Sequence, residues 1–192
     1  MLLAGPGLAS DIVCNHLRRH FPGLVAICEQ KQSRLFLVRR RAARLGWGTA
    51  LGQVGFMTLA MPVLRRGGVG RIEKIMADSG LDPTPMTDAR QVESVNSQET
   101  AQLLRELAPA VVVVHGTRII SRATLAEIDC PIVNLHAGIT PRYRGVHGGY
   151  WALADGRPDL VGSTVHLVDA GIDTGDVLAQ VTFDTTDRRV RQ

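Results

Sequence analysis

The chain has little of several features that would place it in a specialised class. Aromatic residues make up 4% of its 192 residues, which leaves few rings that can stack on the bases of a nucleic acid. Cysteine occurs only three times, at Cys14, Cys28 and Cys130. An odd number at wide spacing favours buried free thiols over a disulfide framework or a zinc site. Neither an internal repeat nor a low-complexity tract is evident.

A long apolar run and an amino-terminal targeting segment are also missing. The first four residues, Met1 to Ala4, provide neither a basic leader nor a hydrophobic stretch of signal-peptide length, and the longest apolar run is too short to span a bilayer. We therefore expect a cytoplasmic protein without a membrane partner. What is present, 45% hydrophobic residues, 21% charged residues and 20 glycines, is typical of a turn-rich globular protein of one domain.

Positive charge is concentrated in one segment. Ten basic residues and one acidic residue, Glu73, lie between Lys31 and Lys74, so this segment carries +9 while the remaining 12 basic and 17 acidic residues give −5. Such a segment attracts an anionic partner, for example a phosphate, a nucleotide, a polyglutamate tail or a nucleic acid, unless it is simply a solvated helical face. Its apolar spacing predicts two or three helices. We interpret residues 31–80 as a helical basic insertion within a single domain of residues 1–192.

The rest of the chain alternates predicted strands and helices. Apolar, β-branched runs bounded by turn residues predict strands over residues 2–5, 24–28, 111–114, 132–135, 164–168 and 177–183. Ser10, Ser97 and Ser121 each precede apolar residues at helical spacing, which predicts three helices capped by these serines, and a further short helix is predicted over 150–155. Together these elements predict an α/β fold of the Rossmann-like kind, an open and mostly parallel sheet with helices on both faces and a final strand pair.

Three residues suited to acyl transfer lie at turns beside these strands. Asn134 and His136 lie at the end of the strand predicted over 132–135, and Asp173 lies in the loop between the last two strands. An amide donates to an oxyanion, an imidazole carries a proton, and a carboxylate orients or charges the imidazole. Because ligands bind beyond the carboxyl ends of parallel strands, we expect one cleft there, bordered by His115. Taken singly, each residue also fits a turn or a structural histidine.

The order of the motifs around these residues resembles that of a known family. Asn-x-His at 134–136, Pro-x-Tyr-x-Gly at 141–145 and Gly-x-Asp-x-Gly at 171–175 follow one another as they do in the folate-dependent formyltransferases. That family includes glycinamide ribonucleotide, methionyl-tRNA and amino-sugar formyltransferases. The resemblance is strong from about residue 110 to residue 183 and loose over the first 30 residues.

The resemblance implies transfer of a formyl group from 10-formyltetrahydrofolate to a primary amine through a tetrahedral intermediate, with no metal. It implies catalytic roles for Asn134, His136 and Asp173. It implies that backbone groups of two loops hold the folate, at His115, Gly116, Thr117, Arg118, Ile119 and Ile120 and at Val168, Asp169, Ala170 and Gly171. The residues expected to bind the acceptor are Gly5, Gly7, Arg144, Gly145 and His147.

Departures from the family pattern leave the acceptor open. Pro6 lacks the N–H that a phosphate-binding turn would supply at this place. The chain has no length for the barrel-like carboxyl-terminal domain of the methionyl-tRNA enzymes, so we expect a small anionic amine, such as an amino-sugar nucleotide or a ribonucleotide, and not tRNA. The alternatives are a hydrolase that releases formate from 10-formyltetrahydrofolate and a non-catalytic folate-binding homologue. A metal hydrolase and a dinucleotide-binding protein are only weakly indicated, and oligomeric state is left open.

Overall fold

Two compact units make up the chain in a computed structural model that describes residues 1–185. The first consists of Met1–Gln30 and Pro83–Gln192, and the second is Lys31–Asp82. All strands of the described residues belong to the first unit. The second unit is helical.

The first unit is built on one seven-stranded sheet with the order β3-β2-β1-β4-β5-β6-β7. The strands are β1 (Leu2–Ala4), β2 (Ala26–Glu29), β3 (Arg90–Val92), β4 (Val112–His115), β5 (Ile132–His136), β6 (Gly162–Leu167) and β7 (Val177–Thr182). The pairs within β1 to β5 are parallel, whereas β6 runs antiparallel to β5 and β7 antiparallel to β6. The predicted open, mostly parallel sheet with a final strand pair is confirmed.

The helices of the described residues are α1 (Leu8–His20), α2 (Arg34–Leu45), α3 (Trp47–Gly55), α4 (Met61–Asp78), α5 (Gln98–Leu107), α6 (Arg122–Leu125) and α7 (Gly148–Ala154). A π-helical turn, Phe56–Ala60, lies between α3 and α4, and a 3-10 turn, Pro158–Leu160, follows α7. Within residues 1–185, none of the helices combines the length and the apolar character needed to cross a membrane.

Helices cover both faces of the sheet. Successive side chains of a strand point to opposite faces, so Leu2 and Leu3 of β1 belong to different layers. Leu2 packs in a buried cluster with Cys14 of α1, whereas Leu3 packs in a second cluster with Leu104 of α5. The residues of the two clusters are buried, and their separation by the sheet confirms the predicted three-layer arrangement.

Two of the three predicted serine caps are confirmed, and the third is wrong. Ser97 Oγ accepts from the backbone N–H of Thr100 at the start of α5, and Ser121 Oγ makes the same contact at α6. Helix α1 instead begins at Leu8 with Gly7 as its N-cap and no side-chain cap. The hydroxyl of Ser10 lies inside the helix and contacts the end of β4, which removes it from capping.

The cysteines are free thiols within the described residues. Cys14 and Cys28 are buried, and burial raises the pKa of both thiols, which keeps them protonated and unreactive. Cys130 is only half-buried, so the expectation of buried thiols holds for two of the three.

Candidate active site

A cavity of about 590 Å³ opens at the carboxyl ends of β4 and β5. These strands are parallel neighbours, and His115 and His136 are their last residues. The loop after each strand and the segment after β6 line the cavity. Its volume lies in the ordinary range for a small-molecule site. The cleft predicted beside His115 is therefore present.

Asp173 lies at the centre of this site in a left-handed conformation, with φ 51°, which aspartate tolerates better than most residues. One carboxylate oxygen, Oδ2, accepts from the backbone N–H of Gly145 at 2.8 Å, and the other, Oδ1, accepts from Nδ2 of Asn134 at 3.2 Å. Nε of Arg144 donates to the Asp173 carbonyl at 3.0 Å. These contacts hold the loop between β6 and β7 against the loop after β5.

Two neighbours determine which way the Asn134 amide points. His166 Nδ1 lies 2.7 Å from the carbonyl of Leu167, and a carbonyl only accepts, so Nδ1 carries a proton and, in the neutral ring, Nε2 is an acceptor. Nδ2 of Asn134 is 3.1 Å from that Nε2 and also faces Asp173. Both N–H groups of the amide are used within this network. Oδ1 of Asn134 has no hydrogen-bond partner among the described residues, and Asn134 lines the cavity.

This arrangement differs from the sequence expectation, in which the Asn134 amide donates to an oxyanion. The carboxylate of Asp173 and the lone pair of His166 both require a donor, so they take the two N–H groups. What the amide offers to a ligand is its carbonyl oxygen.

The ring of His136 bridges the backbone and Asp173. Its Nε2 lies 2.8 Å from the carbonyl of Tyr143, which makes Nε2 a donor. Its Nδ1 lies 3.5 Å from Oδ2 of Asp173, longer than a normal hydrogen bond. Gly138 permits the first contact, because a Cβ there would lie 2.7 Å from Nε2 and 2.5 Å from the Tyr143 carbonyl.

Sequence reasoning missed His166. It is buried on β6, directly opposite Asn134 in the antiparallel register of β5 and β6, and its Nε2 lies 3.4 Å from Oδ1 of Asp173. The available signal was a histidine, His166, at an inward position of a predicted strand. The pairing that brings it to Asn134 required the register of the sheet.

His115 belongs to the cavity wall as a neutral group. Its Nδ1 lies 3.1 Å from Oγ of Ser10. Burial lowers the pKa of the imidazole because the charged form loses hydration. It therefore contributes hydrogen-bonding capacity and no charge at neutral pH.

The loop after β4 is held by a buried carboxylate. Glu29, 4% exposed at the end of β2, accepts from the backbone N–H groups of Arg118 at 2.6 Å and of Val95 at 3.2 Å. Nε of Arg118 lies 2.7 Å from the same carboxyl group as an ion pair, and its terminal nitrogen donates to the carbonyls of Gln30 and Glu93. The guanidinium of Arg118 therefore anchors the loop.

Of the residues predicted to bind folate, all but Ala170 line the cavity. Ala170 lines a separate surface pocket. Gly145 and His147 of the predicted acceptor residues also line the cavity, whereas Gly5, Gly7 and Arg144 do not. Gly5 instead packs under the loop after β4, where a Cβ would lie 1.9 Å from the carbonyl oxygen of Gly116.

Comparisons with known proteins agree on one family. The family model described as formyl transferase matches residues 70–189. A methionyl-tRNA formyltransferase from Anaeromyxobacter sp. (strain K) is 40% identical over 91 residues, which are 47% of this chain and 29% of that protein. The chain spans less than a third of the length of the curated relatives that it matches.

Solved structures share the fold. Phosphoribosylglycinamide formyltransferase from Streptococcus pneumoniae has a TM-score of 0.55 and 20% identity, and the match covers 99% of this chain and 87% of that one. A formyltetrahydrofolate deformylase from Pseudomonas syringae pv. tomato has a TM-score of 0.52 and 16% identity, and the match covers 94% and 49% of the two chains.

Proposed function

The chain belongs to the formyl transferase family, and from this premise we propose that it transfers a formyl group from 10-formyltetrahydrofolate to a primary amine. One observation carries the proposal. The side chains of Asn134, His136 and Asp173, separated by up to 39 residues in sequence, belong to one connected group at the wall of one cavity. An amide, an imidazole and a carboxylate in contact are the groups that acyl transfer to an amine needs.

The cavity fits a folate donor in size and in the kind of groups it presents. Residues of the loop after β4 and of the segment after β6 form two of its walls. Both walls are tied in place, the first by Glu29 and the second by the Asp173 carboxylate. Fixed N–H and C=O groups at two sides suit a flat heterocycle with several donors and acceptors.

Amine attack forms a bond between the amine nitrogen and the formyl carbon, and the bond from that carbon to the folate nitrogen then breaks. One proton passes from the amine to the departing nitrogen. Oδ1 of Asn134 accepts a hydrogen bond from an N–H of the amine and so directs the lone pair of the amine nitrogen at the formyl carbon. A protonated His136 donates through Nδ1 to the oxyanion. Asp173 balances the charge of that ring and takes the amine proton on its way.

The proposed acceptor is a small anionic amine. Support comes from Arg144, which is exposed and whose Nε donates to the Asp173 carbonyl. Arg144 directly precedes Gly145 in the chain, and Gly145 and His147 both line the cavity. A planar guanidinium suits phosphate or carboxylate recognition. The curated relative is named for methionyl-tRNA, so tRNA remains a candidate acceptor despite the sequence expectation.

The test is to incubate the chain with 10-formyltetrahydrofolate and separate acceptors, namely an amino-sugar nucleotide, glycinamide ribonucleotide and methionyl-tRNA, with an amine-free control. Tetrahydrofolate release and product mass are measured. Release only with an amine, together with a product heavier by one formyl group, supports transfer. Formate release at the same rate without an amine identifies a hydrolase, the activity that the deformylase neighbour is named for. No release with any acceptor contradicts the proposal.

A further inference from the structure

The helical unit, Lys31–Asp82, contains a long uncharged stretch between two arginine clusters. Residues 45–64 include no Asp, Glu, Lys or Arg over 20 positions. Arg39, Arg40, Arg41 and Arg44 precede the stretch, and Arg65 and Arg66 follow it. None of these arginines has a function in the proposed reaction.

Large apolar side chains of this stretch are open to solvent instead of packed. Leu51 is 61% exposed, Leu59 is 76% exposed and Val63 is 67% exposed. Leu45, Trp47, Phe56 and Met57 are each more than half exposed as well. Soluble surfaces rarely expose so many large apolar residues close together without a partner.

We propose that this unit docks on the surface of an anionic lipid bilayer. The exposed apolar side chains named above enter the boundary between head groups and acyl chains, and Arg39, Arg40, Arg41 and Arg66 contact anionic head groups. Interfacial helices use this combination of apolar and basic residues. This proposal departs from the sequence expectation that no membrane is a partner.

Charge complementarity favours this occupant over two others. A second copy of the chain would bring the same arginine clusters, and like charges would oppose its approach. A nucleic acid complements the arginines and can stack on Trp47 and Phe56, but it leaves the aliphatic side chains of Leu51, Leu59 and Val63 without an apolar partner. A bilayer with anionic lipids satisfies the charge and the apolar surface together.

The probe is flotation of the full chain with vesicles of phosphatidylcholine alone or of phosphatidylcholine with 30% phosphatidylglycerol. We expect the chain to float with the anionic vesicles, to stay behind with the neutral ones, and to dissociate as salt screens the head groups. Each basic residue at such a surface is worth about fivefold in partitioning. Replacing Arg39, Arg40 and Arg41 together by glutamine should therefore weaken binding on the order of 100-fold.

Matched variants separate local from general effects. Arg90, Arg122 and Arg142 are exposed arginines of the first unit, and their joint replacement by glutamine removes the same charge but should leave binding nearly unchanged. These positions provide the charge control.

The apolar contribution has its own control. Phe56→Ser with Leu59→Ser should lower partitioning about tenfold or more, whereas Phe21→Ser with Leu178→Ser, at exposed positions outside the unit, should not. All these side chains are exposed, so the far-UV circular dichroism of each variant should match that of the parent.

Several results would overturn the proposal. They are absence of flotation with anionic vesicles, equal flotation with neutral vesicles, self-association through residues 45–64 without vesicle binding, and binding of a nucleic acid without vesicle binding. The outcome is independent of the formyl-transfer assay, because the two measurements use different surfaces.

Discussion

Replacing Asp173 by asparagine is the sharpest perturbation of the proposed site. Asparagine keeps the size of the side chain and tolerates the left-handed conformation, φ 51°, that this position requires. It offers one acceptor oxygen where the carboxylate offers two. Either the N–H of Gly145 or that of Asn134 therefore loses its partner, and the new NH₂ group points at a donor.

The size of the effect follows from these contacts. Hydrogen bonds to a charged group contribute about 1.5 to 3 kcal/mol each, so Asp173→Asn should lower the free energy of unfolding by about 1 to 3 kcal/mol. The loss in turnover should be larger. The negative charge of Asp173 lies 3.5 Å from Nδ1 of His136 and orients that ring, and without this charge we expect a fall in kcat on the order of 10³.

The assay is tetrahydrofolate formation with the best acceptor, together with thermal unfolding of each variant. Asp176→Asn is the matched control, because it removes an exposed carboxylate from the same loop. It should change kcat less than twofold, an effect of about 0.4 kcal/mol. A kcat for Asp173→Asn within tenfold of the parent, in a folded variant, would refute the proposed function of the Asp173 carboxylate.

Three further predictions concern the walls of the cavity. Gly5→Ala places a Cβ 1.9 Å from the Gly116 carbonyl oxygen, so the free energy of unfolding in denaturant should fall by about 1 to 3 kcal/mol and donor binding should weaken. Gly23→Ala, whose Cβ meets no atom within 4 Å, should change neither quantity. Glu29→Gln breaks the ion pair between the buried Glu29 carboxylate and the partly exposed Arg118 guanidinium. It should lower the free energy of unfolding by about 3 kcal/mol in the same measurement, and a loss under 0.5 kcal/mol would contradict the anchoring of the loop. Burial lowers the pKa of His115, so below about pH 6.5 the unfolded chain binds a proton that the folded chain does not, and the free energy of unfolding decreases as the pH is lowered. His115→Gln should remove the contribution of His115 to this slope, which is at most about 1.4 kcal/mol per pH unit, and an unchanged slope would contradict the prediction.

Much of the sheet was predictable because its central strands are buried on both faces. The run of four valines that begins at Val111 predicts an interior strand, and β4 includes three of these valines. Strand β3 was not predictable. Only Val92 of its three residues is buried, and the segment becomes a strand by pairing with β2 at the edge of the sheet.

Motif order indicates three residues of the candidate site, but it indicates neither His166 nor the arrangement of the group. Asn134, His136 and Asp173 stand out by motif order, and the structure brings them together. The direction of the Asn134 amide depends on the proton of His166, which depends in turn on the carbonyl of Leu167. Contacts across 32 residues of sequence leave no local pattern. The same holds for Ser10, which looks like a cap but contacts His115, 105 residues away.

A single-turnover experiment with a donor carrying a carbon-13 formyl group shows whether this chain moves a formyl group onto an amine. The parent chain, in excess over the donor, is mixed with the best acceptor, and the label is followed by mass spectrometry and carbon NMR. We expect the label to appear as the formamide carbon of the acceptor with the parent chain, and to stay on the donor with Asp173→Asn over the same interval. Label found as free formate whether or not an amine is present, or label that never leaves the donor with any acceptor, would contradict it.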